Sequence, residues 1–248
     1  MTGPGDLHPD EGASAIDALL LRHGPSTARD QLGIAALEEL RLRGAATVDA
    51  SVIVGDLRMS TFVLKESVQP ALFARFIVGF TEAVRSLVRS REGWFDKFTG
   101  DGFIAFWLHR PDADPGATLV PEFCQTVLPA ADALIANLRR TSRNFPSGVG
   151  LALGVDRGPC QLVRVGDALT VVGGPVVGAT RMVGGARARQ TLVNVLPGEE
   201  LERAGPRLVE GGIRVERTNI RTKEYPRGQE AYELIFSASH RVPASPMG

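Results

Sequence analysis

The segment WFDKFTGDGFIAFW, from Trp94 to Trp107, restricts the possible folds more than any other stretch of the chain. Its outer halves alternate as strands do, and its centre, Thr99-Gly100-Asp101-Gly102, holds the Asp-Gly pair that marks a tight hairpin turn. Immediately before it, Pro70 to Arg91 (PALFARFIVGFTEAVRSLVRSR) repeats apolar residues every three or four positions, which predicts an amphipathic helix feeding the hairpin. From Thr47 the run VDASVIVGD predicts a central strand ending at Asp56, and Ser60-Thr61 can cap the helix that follows. Downstream, Pro121 to Arg140 reads as a helix, Val149 to Val155 as a strand, and Gln161 to Gly174 as a second hairpin turning at Gly166-Asp167. Pro175 to Gly185 is a helix opened by its proline. Strands are expected at Thr191 to Val195 and Ala231 to Phe236, with a weaker one at Ile213 to Arg217. This order implies an α+β sandwich, helices over a mainly antiparallel sheet.

Two helices broken at His23-Gly24-Pro25-Ser26 are expected between Ala13 and Gly44 as an N-terminal accessory element. The chain then divides into residues 1–12, rich in Gly, Pro and acid and expected to be disordered, 13–46 helical, 47–238 the main domain, and 239–248 a flexible tail. With 248 residues and 44% hydrophobic content, it can bury one good core. Its 28 basic and 28 acidic residues cancel, and no dense basic run offers the footprint of a nucleic-acid binder. Cys124 and Cys160 lie in apolar surroundings without metal-ligand spacing, and neither a signal peptide nor a long apolar span is evident. These features point to a cytoplasmic protein with reduced thiols and no membrane partner. His8, His23, His109 and His240 are scattered, which argues against a zinc site.

Asp56 ends the first strand, and Asp101 sits at the tip of the hairpin after the first long helix. An aspartate in either place can simply support its own turn. Brought together at neighbouring strand ends, the two carboxylates supply the hard oxygen ligands that Mg²⁺ requires, and the start of the next helix offers backbone N–H groups to a polyphosphate. Residues Leu57 to Thr61, including Ser60 and Thr61, would then cradle phosphates. The glycines of the turn, Gly100 among them, would let phosphates approach the backbone closely.

These residues resemble the class III nucleotide cyclases. In that family the first metal aspartate ends an apolar strand before a Thr-bearing phosphate loop, as in VIVGDLRMST, and the second lies in a Lys-x-x-Gly-Asp hairpin, matched by Lys97 to Asp101. The later segment LTVVGGPVVGATRM is similar to the family's strand-into-helix segment, which places Thr170 with Lys97 in base recognition and Arg181 at the transition-state arginine. Lys223, nine residues before Tyr232, stands where the family has a triphosphate-binding lysine. The resemblance covers about Thr47 to Phe236 and implies the ferredoxin-like cyclase sandwich. It also implies two Mg²⁺ or Mn²⁺ ions per site, held by Asp56, Asp101 and the Leu57 backbone, and a nucleoside triphosphate substrate closed to a 3′,5′-cyclic nucleotide. The active sites would lie at the interface of a head-to-tail homodimer, so that a monomer is inactive.

One departure is Val177, where the family carries an asparagine. Lys97 and Thr170 are compatible with adenine, yet a lysine donor also suits O2 or O4 of a pyrimidine. The strings DLRMSTFVLKES and GWFDKFTGDGFIAFW resemble the stand-alone pyrimidine cyclases of the bacterial anti-phage systems called Pycsar, whose cUMP or cCMP triggers a separately encoded effector. UTP is therefore the expected substrate, ahead of CTP, with ATP and cAMP as the alternative. A catalytically dead nucleotide-binding module is the rival from another class. GGPVVGATR lacks the Gly-Lys-Ser/Thr ending of a P-loop, and TGDGF is not a diguanylate cyclase hairpin. Phe95, Phe98, Phe103 and Phe106 are expected in the core and Lys65 and Glu66 on an exposed helix face, while Arg58, inside the loop, could touch phosphate or stand as a solvated neighbour without a function.

Overall fold

The computed structural model describes residues 9–66, 70–109, 118–140, 145–222 and 224–237. Its order is α1 (Pro9–His23), α2 (Ala28–Arg43), β1 (Ala45–Arg58), α3 (Ser60–Glu66), α4 (Pro70–Arg89), β2 (Trp94–Phe98), β3 (Gly102–His109) and α5 (Leu119–Arg139). There follow β4 (Gly150–Val165), β5 (Ala168–Val172), α6 (Gly174–Gly185), β6 (Thr191–Val193), α7 (Val195–Arg203), α8 (Gly205–Glu210), β7 (Ile213–Ile220) and β8 (Gln229–Phe236). The eight strands form one sheet ordered β2-β3-β1-β4-β6-β8-β7, with β5 folded back onto β4. Only the β4–β6 pairing is parallel. The α+β architecture expected from the sequence is the one observed.

Helices cover both faces. On one, α4 and α5 bury Phe80, Val84, Phe123 and Val127 against Ile53, Phe103, Trp107 and Leu153 of the sheet. On the other, α1, α2 and α6 bury Leu19, Leu40, Ala179 and Met182 against Val52, Trp94, Phe106 and Ala152. The four hairpin phenylalanines are core residues as expected: Phe103 and Phe106 are fully buried, and Phe95 and Phe98 pack at the edge of the first cluster. By length and composition α5 is apolar enough to span a membrane, contrary to the expectation of no such segment. Its apolar residues are those of a helix packed into the core, among them Phe123, Cys124, Val127 and Ile135. Cys124 and Cys160 are both buried and unpaired; burial pushes both thiols up, Cys160 to about 11.

Several boundaries moved for identifiable reasons. Helix α1 begins at Pro9, so residues 9–12 are helical rather than disordered, proline being well tolerated in a first helical turn. Strand β4 runs unbroken through Gly158-Pro159, which reads as a break, because it pairs with β1 along its whole length from Ala45↔Val163 to Arg58↔Gly150. Helices α7 and α8 were hidden by Pro197-Gly198 and Gly205-Pro206. Asn194 caps α7 by accepting from the Val195 N–H at 2.9 Å, and Gly198 is needed because the Tyr232 ring occupies the space a Cβ would take.

Candidate active site

Pairing of β1 with β3 sets Asp56 directly opposite Gly102, so the carboxylate ending one strand meets the tip of the hairpin. The tip is fastened at two points: the Leu57 N–H donates to the Asp101 carbonyl oxygen at 3.1 Å, and the Ser60 hydroxyl donates to the Asp101 carboxylate. Gly100 turns the chain at φ +91°, a conformation that disfavours any residue with a Cβ. Asp56, Leu57, Ser60, Thr61, Lys65 and Asp101 line one open cleft of about 440 Å³. Burial pushes the Asp56 carboxyl above its ordinary value, the Arg58 guanidinium pulls it back, and the Asp101 carboxylate pushes it up again.

Arg58 corrects the sequence reading. It is not a solvated loop residue: its Nη1 lies 2.8 Å from Asp56 Oδ2 and its Nη2 donates to the Val183 carbonyl of α6. The loop thereby ties the carboxylate pair to the helix that carries Arg181. Its next residue, Met59, has φ +64° with a half-exposed side chain. Left-handed backbone costs an L-residue about 1–2 kcal/mol, of which glycine's greater unfolded-state freedom cancels part. Met59→Gly is therefore expected to raise stability by about 0.5–1 kcal/mol, read as a higher urea midpoint with an unchanged slope.

The remaining sequence-derived residues form two further groups. Lys97 and Thr170, from β2 and β5, meet directly: Lys97 Nζ donates to Thr170 Oγ1 at 2.8 Å. The Thr170 hydroxyl in turn donates to Asp96 Oδ2 at 2.8 Å, and Asp96 was missed in the sequence. Two adjacent charges interrupting an aromatic strand, Asp96-Lys97, were the available signal. Arg181 lies in a separate cleft of about 430 Å³ on α6, with Val177, Thr180 and Glu224. Its Nε lies 2.6 Å from Glu224 Oε2, and its guanidinium stacks 5.1 Å over the Tyr225 ring. Val177, one turn before Arg181 on the same helix, is 57% exposed. Lys223 and the side chain of Glu66 fall outside the described residues.

Among solved structures, several cyclase domains share this fold. The adenylyl cyclase CyaB from P. aeruginosa superposes with a TM-score of 0.63 at 18% identity, over 78% of this chain and 96% of that one. The guanylyl cyclase Cya2 gives 0.62 at 16% identity, over 80% and 98%. The chain has the class III cyclase fold. The guanylate cyclase domain of RhGC from Catenaria anguillulae, solved in complex with GTP, matches the same fold at 0.53 and 12% identity, over 76% and 97%. No family model matches the sequence, and comparison with curated proteins finds no match. Asp56 lies on β1 and Asp101 at the tip of the first hairpin, Lys97 and Thr170 lie on β2 and β5, and Arg181 lies on α6.

Proposed function

We propose that the protein is a nucleotide cyclase that converts a nucleoside triphosphate, preferentially UTP, into a 3′,5′-cyclic nucleotide and pyrophosphate. The observation that carries this reading is the facing pair Asp56 and Asp101, tied together through Leu57 and Ser60. The donor set fits Mg²⁺ or Mn²⁺: both carboxylates and the Leu57 carbonyl are hard oxygen ligands, and burial together with the neighbouring Asp101 carboxylate raises the cost of charging Asp56, a cost that a bound cation would offset. Among the described residues no cluster of three or more His, Cys, Asp or Glu occurs, so phosphate oxygens and water would complete the shell. Two such ions, when bound, would lower the pKa of the ribose 3′-hydroxyl and neutralise the triphosphate.

In the reaction the 3′-hydroxyl gives its proton to solvent, its oxygen bonds to the α-phosphorus, and the bond from the α-phosphorus to the bridging oxygen breaks, that oxygen leaving with pyrophosphate. Ser60 holds the Asp101 carboxylate in one orientation, and the Leu57–Thr61 segment faces the phosphates. Lys97 and Thr170 read the base. Arg181 and Lys223 would offset charge on the phosphates, Arg181 first leaving its ion pair with Glu224. In keeping with the resemblance, metal and phosphate residues from one protomer would join base-reading residues and Arg181 from the other, in a head-to-tail homodimer. The cyclic pyrimidine product would act in the cytoplasm on a separately encoded effector of anti-phage defence.

The test is incubation with Mn²⁺ and equimolar ATP, GTP, CTP and UTP, with cyclic products resolved by chromatography and mass. A dominant cUMP peak is expected; a dominant cAMP peak would reverse the choice of base. Arg181→Ala should lower kcat by about 10²–10³-fold with a smaller change in KM, as for loss of a group acting on developing charge. A second reading, a nucleotide-binding module without turnover, is favoured by exposed Val177 at the family's asparagine position. Nucleotide binding with Mn²⁺ but no cyclic product would select it.

A further inference from the structure

The β2 strand contains a bulge. Phe95 pairs with Ala105 and Lys97 with Ile104, so Asp96 has no partner on β3. A regular strand would send Asp96 and Lys97 to opposite faces, and Phe95 and Phe98 likewise. The extra residue changes this: Phe95 and Phe98 both pack in the α4–α5 core, while Asp96 and Lys97 both reach Thr170. The Asp96 side chain is only 2% exposed, against 48% for Lys97. A nearly buried carboxylate in an edge-strand bulge therefore stands behind a partly exposed lysine. Its partners are the Thr170 hydroxyl at 2.8 Å, the Lys97 ammonium at 3.7 Å and the Val171 backbone N–H.

A threonine hydroxyl has one proton to donate and two lone pairs. Here the proton goes to Asp96 and one lone pair takes the Lys97 N–H, so Thr170 meets a ligand only as an acceptor. Lys97, with further N–H groups, meets it as a donor. We propose that Asp96 is the positioning residue of base recognition, fixing the Lys97–Thr170 pair as a donor beside an acceptor that fits the edge of a nucleobase. Uracil presents the complement as O4 beside N3–H, and adenine as N1 beside an N6–H. Without the carboxylate, the Thr170 hydroxyl rotates freely and the lysine loses the charge that holds it. This inference rests on the nucleotide-cyclase reading, but it concerns the base and leaves the phosphate and metal residues untouched.

The hairpin bearing Asp96 also carries Asp101, so a merely structural role for Asp96 would disturb phosphate binding as well. Two probes separate the cases: 3′-deoxy-UTP and 3′-deoxy-ATP, which bear a base but cannot cyclise, and inorganic tripolyphosphate, which has no base. Their affinities would be measured by calorimetry with Mn²⁺ on the full chain. Asp96→Ala and the volume-conserving Asp96→Asn should weaken the preferred 3′-deoxynucleotide by about 10–100-fold, as for loss of charge-assisted hydrogen bonding, and leave tripolyphosphate unchanged. Thr170→Val should produce a similar loss, and Asp96→Ala with Thr170→Val no more than either alone, since both remove one coupled unit. Equal weakening of both probe types, full additivity, or unchanged nucleotide affinity would overturn the inference while leaving the cyclase reading in place. A wild-type chain that binds neither probe would overturn both.

Discussion

Asp101→Ala is expected to lower cyclic-nucleotide formation by at least about 10³-fold, equivalent to about 4 kcal/mol of transition-state stabilisation. The carboxylate lies across the β1–β3 pairing from Asp56 and receives the Ser60 hydroxyl, so its removal takes away half the side-chain donors proposed for the metals. The fold should survive. Asp101 lies at a hairpin tip and contributes no core contact, and the Leu57 N–H bond to its backbone carbonyl remains. Asp56→Ala should produce a similar loss, with Arg58 left without its carboxylate partner. Activity would be followed as product per unit time at saturating Mn²⁺, and the oligomeric state by size-exclusion chromatography. Both variants should elute with wild type; retained activity in either would remove the two-metal assignment.

The largest stability effect is expected at Gly154, in the first third of β4. A Cβ there would lie 2.1 Å from the Ala179 carbonyl oxygen and 2.3 Å from the Val183 nitrogen, both backbone atoms of α6. No rotamer change can relieve such a contact, so Gly154→Ala must push the helix off the sheet. The cost should be about 3 kcal/mol or more, lowering Tm by roughly 6–12 °C for a domain of this size. Function should fall with it, because α6 carries Arg181 and its Val183 carbonyl receives Arg58. Gly184→Ala is the control: in the same helix, its added Cβ would meet nothing within 4 Å. That variant should be neutral or gain up to about 1 kcal/mol, since alanine is the better helix former. A thermal melt showing equal losses for both would refute the steric account.

Much of this architecture is written in local patterns. The amphipathic period of α4, the Asp-Gly turn of the first hairpin and the Gly166-Asp167 turn of the second each depend on residues close in sequence, and each appears where its pattern lies. The Asp56–Asp101 pair was legible for a related reason, since both aspartates stand at recognisable strand ends. The continuity of β4 was not legible. Gly158-Pro159 breaks the local pattern, and only pairing with β1 on its other side keeps the strand extended. The two last helices were concealed in the same manner by proline and glycine residues whose tolerance depends on their caps and neighbours.

The sequence by itself determined the order of the strands and of every helix but α7 and α8, and the two turn carboxylates; resemblance added the assignment of Lys97 and Thr170 to base recognition. Local periodicity, turn chemistry and residue type carry that information over short distances along the chain. The tertiary structure alone decided that Asp96 stands behind Thr170, that Arg58 bridges Asp56 to α6, and that Arg181 pairs with Glu224. Each of these depends on a bulge or on contacts between distant segments, and a side chain's direction there is set by packing rather than by its neighbours in sequence.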